Sequence, residues 1–473
     1  MTAADHSPLP ASETAPRGQD TSQGGDLIPF RQAVRTWFAI SLQTFGGPAG
    51  QIAVMQRTLV EDKRWIGQQR FNHALSYCML LPGPEAQQLA TYIGWLLNGT
   101  RGGLAAGTLF VIPGVVALLA LSAIYVAFGT TAAVTGLFAG LAPAVVAIVA
   151  QAVWRVGRRS LTHPALIALA VVSFAALALF AVPFPVVIAA AAVVGWLLAR
   201  LAPHTLQPSA PRAAEGGPAP LIPDDALHHE APGRRRALRI LLVGLLLWAV
   251  PVAAVAILTG SGSVFTTQGL FFSGTALVTF GGAYAVLAYV AQQAVQHYGW
   301  LSAGEMVRGL ALAETTPGPL IMVVQFVAFL GAYRDPGALN PWAAALLGAL
   351  LTTWVTFVPC FLFIFLGAPY IERLRGNPTV SAALTGITAA VVGVIANLAL
   401  YFAEHTLFAG VDTVTAGPLK PAVPDWSTLR PTALAIAVVA VVLIFKVRWS
   451  VLRTLGVSAV LGLSAALAGV PGI

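Results

Sequence analysis

Charge is scarce in this chain. Asp, Glu, Lys and Arg make up 9% of its 473 residues, against roughly 25% in soluble globular domains. So few polar side chains cannot cover a soluble particle of this size. Cysteine is almost absent. Cys78 and Cys360 lie far apart in apolar stretches, which excludes a disulfide framework and leaves two small buried hydrophobes. There is no HExxH, no phosphate-binding GxxxxGK[ST] and no Cys/His cluster at metal spacing. Among the eight histidines only His228 and His229 adjoin. These absences argue against an enzyme and call for no metal and no cofactor. The first 29 residues lack the apolar core of a signal peptide and read as a disordered cytoplasmic tail.

What is abundant is apolar sequence, 57% of the chain. Runs such as Ala237–Leu258 and Pro341–Leu366 reach the roughly 20 residues that a spanning helix needs. They are apolar on every face, unlike the alternating strands of a membrane barrel. The predicted fold class is an all-α polytopic membrane protein. Thirteen segments are predicted, at 30–47, 70–97, 103–128, 131–154, 162–181, 183–200, 237–258, 264–284, 305–331, 341–366, 379–402, 431–447 and 450–470. A linker rich in Pro, Ala and Gly, 201–236, separates the sixth from the seventh and reads as flexible and solvated.

The net charge of +8 sits in the connections, where it reports orientation and does not suggest nucleic-acid binding. Arg155, Arg158, Arg159, Arg200, Arg234–Arg236, Arg373, Arg375, Lys446, Arg448 and Arg453 all follow even-numbered segments. The N-terminus and linker are therefore expected in the cytoplasm of a bacterial cell with the protein in its inner membrane, and the C-terminus in the periplasm. Arg57, Lys63, Arg64 and Arg70 break the pattern. The sequence admits thirteen crossings, or nine crossings with four re-entrant pieces covered by protein or water.

An internal duplication organises the chain. Phe45-Gly46-Gly47 recurs as Phe280-Gly281-Gly282, Trp65 as Trp300, and Pro82-Gly83-Pro84 as Pro317-Gly318-Pro319, each 235 residues later. Pro113 then matches Pro359, Gly140 matches Gly386, and Gln151 matches Asn397, at 246. The insertion falls near Arg334–Pro341. The expected domains are a first repeat at 30–200, a linking helix at 237–263 and a second repeat at 264–473. Corresponding segments are seven apart, so the second repeat is inverted, as in many secondary transporters.

Matched, interrupted segments point to the substrate site. Proline removes a backbone donor and disfavours helix before it, so each Pro-Gly-Pro breaks its segment. The half-helix that follows starts inside the membrane with unpaired amides and partial positive charge, suited to an oxyanion. The candidate binding residues are Phe45, Gly46, Gly47, Pro82, Gly83, Pro84, Glu85, Gln87, Gln88, Phe280, Gly281, Gly282, Thr315, Thr316, Pro317, Gly318 and Pro319. Glu314, a carboxyl in an apolar run, is the candidate for proton exchange. Glu85 also fits the simpler role of stabilising a helix start. Gln325, Gln151 and Asn397 either line a path or bond across helices, whereas Gly103-xxx-Gly107 and Gly136-xxx-Gly140 read as packing. The early cluster of Arg57, Lys63, Arg64 and Arg70 either steers an anion or faces headgroups.

At these motifs the sequence resembles the chromate ion transporter family. The residues carrying the resemblance are Phe45-Gly-Gly-Pro48, Trp65 and Cys78-Met-Leu-Leu-Pro-Gly-Pro-Glu-Ala-Gln-Gln-Leu-Ala90, then Phe280-Gly-Gly282, Trp300 and Ala313-Glu-Thr-Thr-Pro-Gly-Pro319. The resemblance implies export of chromate from the bacterial cytoplasm, driven by the proton motive force, with sulfate as a competitor of the same shape and charge. Chromate or sulfate, protons and the lipid bilayer are then the expected partners, and a homodimer is left open. One departure is Ala283, which stands where Pro48 would recur.

Overall fold

A computed structural model describes residues 27–45, 47–201, 220–222, 233–280, 282–367 and 378–470. Most of the expected N-terminal tail, most of the linker, Gly46, Gly281, Arg373 and Arg375 lie outside the described residues.

The described chain is helical apart from a two-stranded antiparallel hairpin, β1 (Val411–Thr413) and β2 (Ala422–Pro424). The first helices are α1 (Phe30–Ser41), α2 (Gly47–Gln56, prolonged by a π turn over Arg57–Asp62), α3 (Gln68–Cys78) and α4 (Glu85–Phe128). Helix α4 is two antiparallel limbs, because Asn98 and Gly99 leave helical geometry. A Cβ on Gly94 would lie 2.5 Å from the Gly102 carbonyl, a contact that a straight helix would not allow. Then follow α5 (Ala132–Ser160), α6 (Pro164–Ala178), α7 (Phe184–Leu201) and the linking α8 (Arg234–Thr259).

The same order then recurs. Helices α9 (Val264–Val278), α10 (Ala283–Gln292, with a π turn over Gln293–His297) and α11 (Ala303–Thr315) are followed by a 3-10 turn (Leu320–Met322) and α12 (Val323–Arg334). They are followed by α13 (Pro341–Gly367), α14 (Pro378–Leu407), α15 (Pro431–Val441, with a π turn over Val442–Lys446) and α16 (Val451–Leu467). Here the two limbs that form α4 in the first half are separate helices, α12 and α13, joined through the inserted residues.

The segments predicted at 30–47, 70–97, 264–284 and 305–331 are hairpins that turn back, not single spans. Arg334, at the end of α12, donates to the Trp300 carbonyl and pairs with Glu305 at the start of α11. The Phe271 ring of α9 lies 5.6 Å from Tyr289 of α10. In the first half, Leu27 N donates to Leu97 O at 3.0 Å and Asn98 Nδ2 to Ile28 O at 2.7 Å, tying the entry of α1 to the exit of the first α4 limb. Limbs of 10–15 residues span about 15–22 Å, too short to cross the roughly 30 Å hydrocarbon core alone. The bases of the two hairpin sets sit at opposite ends of α8. Arg236 at its start lies over the Trp95 ring, and its far end leads directly into α9. Helix α8 is about 39 Å long.

Among the described residues six helices are long and apolar enough to cross a membrane, counting α4 as one, and α6, α15 and α16 are shorter apolar helices. Their outward faces are apolar. Ile257 and Leu258 of α8 are each more than 80% exposed, which water does not tolerate over so large a surface. This is a multi-pass membrane protein. Small residues bring the helices together, as expected where lipid supplies no hydrophobic drive between them. Gly136 and Gly140 of α5 meet Gly462 and Ser458 of α16, while Gly386 of α14 meets Gly195 of α7. Each half thus inserts its long helix against the last helices of the other.

Candidate functional site

The four motifs singled out in sequence converge. Gly83 N donates to Thr279 O at 2.8 Å, and Gly318 N donates to Thr44 O at 3.1 Å. These bonds correspond under the 235-residue offset. Each Pro-Gly-Pro tip is therefore held by the residue before the Phe-Gly-Gly of the other half. Both glycines have positive φ, +124° and +101°, which glycine adopts without a Cβ penalty. The amides of Gly83 and Gly318, both candidate binding residues, are thus spent on pairing the halves. The free donors lie just beyond, because the first amides of a helix have no partner within it. The amides of Glu85, Ala86 and Gln87 make no hydrogen bond among the described residues, and the first helical bond here runs from Gln88 N to Pro84 O.

Around this pairing the halves differ. Gln51 donates to Gly318 O at 2.6 Å. The Tyr284 hydroxyl, which lies 3.4 Å from where a Gly47 Cβ would stand, donates to Glu314 Oε1 at 2.5 Å. Glu314 is 1% exposed, and its Oε2 has no partner among the described residues. Across the pairing, Gln88 donates to Pro82 O at 2.7 Å and Gln87 to Thr91 Oγ1 at 3.1 Å. Both glutamines are fully buried with an unpartnered Oε1. Glu85 is the first residue of α4, where a carboxylate complements the helix dipole.

The remaining candidates lie away from this pairing or bond to their own surroundings. Thr315 and Thr316 donate to backbone carbonyls of their own helix end. Gln325 donates to Val115 O and accepts from Thr353 Oγ1, so it bonds across helices. Gln151 accepts from Arg155, and Asn397 lines a separate cavity. Arg70 is buried, whereas Lys63 lies over the Trp65 ring. Sequence reasoning missed Thr44, Thr279, Gln51 and Tyr284. The threonines had a signal, since the repeated motif is Thr-Phe-Gly-Gly in both halves.

The chromate transporter family matches this chain over residues 31–196 and 266–465. The unmatched gap holds the linker and α8. The chain belongs to the chromate transporter family. It is therefore a transporter and not an enzyme. A chromate transport protein of Pseudomonas aeruginosa is 31% identical over 386 residues, 80% of this chain and 82% of the relative. One from Cupriavidus metallidurans is 28% identical over 410 residues, 85% of this chain and 90% of the relative. A transporter of Bacillus subtilis, YwrB, is 26% identical over 133 residues, 28% of this chain and 68% of its own length. No solved structure matches.

Proposed function

We propose that the protein exports chromate from the cytoplasm by alternating access, driven by the proton motive force, with sulfate as a competing substrate. Its halves act as an inverted repeat in the bacterial inner membrane, N-terminus and linker inside, C-terminus in the periplasm. Re-entrant hairpins entering from opposite faces put Arg57, Lys63, Arg64 and Arg70 in the cytoplasm, in line with the remaining basic connections. The proposed domains are the repeats 30–200 and 264–473, joined by the linker and α8.

The observation that carries this reading is the pairing of Gly83 with Thr279 and of Gly318 with Thr44. It brings two helix starts and a buried carboxyl to one place. The oxyanion binds the free amides after Pro84 and Pro319 together with Gln87 and Gln88. Glu314 takes and releases the coupled proton, oriented by Tyr284. Because helix-end amides read charge and shape, transport of sulfate or another small anion is the second reading.

The test is chromate uptake into inverted membrane vesicles, energised and then treated with a protonophore. Uptake that needs energy and is inhibited by sulfate is expected. Uptake that persists after the gradient collapses would remove the proton coupling. Sulfate uptake without chromate uptake would move the assignment to the second reading.

A further inference from the structure

A second cavity, of about 380 Å³, opens between α5, α11, α14 and α15. That is room for on the order of ten waters. It is lined by Arg308, His405, Thr406, Arg430, Thr432 and Ala433 among others, and by no acidic residue. We propose that this cavity binds a small tetrahedral oxyanion, as a way station between the central site and the face on which α11 and α12 have their base.

Four observations carry it. First, the Thr406 side chain is 5% exposed, and its Oγ1 has no partner among the described residues. A hydroxyl buried without a partner costs stability, and Thr406 is part of the cavity wall. Second, Arg430 is the N-cap of α15 and makes no side-chain cap. Its guanidinium has no hydrogen bond or ion pair among the described residues. Third, Thr432 and Ala433 follow it in the first turn of α15, where amides lack helical acceptors and the dipole is positive. Fourth, Arg308 forms no ion pair among the described residues. Its Nη1 donates to the Tyr125 hydroxyl at 3.1 Å, and the nearby Glu305 is occupied by Arg334 through both carboxylate oxygens. Guanidinium groups, an unpaired hydroxyl and helix-start amides, arriving from different elements, match acceptors that point in all directions. Arg308 is six residues before Glu314 on α11, about 9 Å along the helix, so the cavity leads towards the central site.

The inference rests on reading the chain as an anion transporter, but its test reads binding and not flux. Ala433→Cys is introduced into the full-length protein, whose Cys78 and Cys360 are buried, and the protein is purified in detergent so that both faces are open. Modification of the new thiol by a charged thiosulfonate is timed with and without sulfate, since chromate would oxidise the thiol. Sulfate is expected to slow modification, and gluconate at equal ionic strength to leave it unchanged. Arg430→Gln should raise the sulfate concentration for half-protection about tenfold, with Arg430→Lys in between. Equal protection by gluconate means charge screening alone and overturns the proposal, as does modification that sulfate does not slow. Protection by phosphatidylglycerol in mixed micelles but not by sulfate assigns the cavity to a lipid headgroup and overturns it too. A protein that fails to move chromate yet shows sulfate protection would overturn the transport reading and leave this site standing.

Discussion

The Gly318 amide donates to the Thr44 carbonyl across 274 residues of sequence. Its counterpart from Gly83 to Thr279 runs the other way. A break in one half is thus capped by the break in the other, and neither tip is complete alone. Mutual capping satisfies backbone groups that the bilayer interior cannot. It also couples the halves, because a movement of one tip pulls on the other.

Alanine at either glycine tests this coupling. At positive φ a Cβ costs about 1–2 kcal/mol. At Gly83 it would also stand 2.7 Å from the Cys360 sulfur and 2.8 Å from Gln88 Nε2. Gly83→Ala should therefore lower the melting temperature and stop chromate flux. Gly318→Ala, whose nearest neighbour is Gly114 Cα at 3.3 Å, should be the milder of the two. Equal, wild-type melting in both would show that the pairing does not hold the tips.

Tyr284 and Glu314 separate orientation from proton transfer. Tyr284→Phe removes one hydrogen bond and no carbon volume, so the loss in stability should be about 1 kcal/mol. Flux should persist with a changed pH profile. Glu314→Gln keeps the shape and removes the ionisable group. Its flux should no longer respond to the proton gradient. Gradient-driven flux at the normal rate in Glu314→Gln would assign the proton to another group.

Small-residue packing makes a prediction with no bearing on substrate. A Cβ on Gly136 would lie 2.5 Å from the Ala466 methyl. Gly136→Leu should therefore separate α5 from α16 and reduce the yield of monodisperse protein, read by size-exclusion chromatography in detergent. Gly233→Leu, with nothing within 4 Å, is the matched control and should leave the elution profile unchanged.

Much of this was legible from periodicity and punctuation. Pro82-Gly83-Pro84 and Pro317-Gly318-Pro319 break helices because of their own backbone chemistry, and no tertiary context is needed to see it. The apolar runs announce helices for the same reason. The turning back of α11 and α12 stood in the sequence as one of two alternatives, because hydropathy reports solvent and not direction. It is set by long-range contacts such as Arg334 with Trp300. Tyr284 escaped notice because a tyrosine in an apolar run is usually core, and only its bond to Glu314 gives it a role. Arg308 and Arg430 are 122 residues apart in sequence. Only packing brings them to one cavity.

The linker gives a prediction that the sequence alone placed differently. As a solvated tether, much of 205–233 should be dispensable. Yet Leu221 N donates to Arg64 O and Ile222 N to Trp65 O, each at 3.0 Å, and Ile222 is 6% exposed. Deleting 205–218 should leave folding and flux intact. Ile222→Asp should lower the melting temperature, because it buries a charge against the connection between α2 and α3.

Arg334 joins the hairpin base to the proposed oxyanion cavity without touching the cavity itself. It holds Glu305 through both carboxylate oxygens, and Glu305 Oε1 also accepts from the Tyr125 hydroxyl that Arg308 contacts. A half-exposed pair of this kind adds at most about 1 kcal/mol to stability, so Arg334→Gln should melt close to the wild type. Its electrostatic effect should be larger than its effect on folding. With its partner gone, the Glu305 carboxylate is left to offset Arg308, and a negative charge then competes with any anion in the cavity. Sulfate protection of Ala433→Cys should weaken in Arg334→Gln and return when Glu305→Gln is added. If Arg334→Gln weakens protection and the double variant does not restore it, the arginine acts by shaping the hairpin and not by holding the carboxylate.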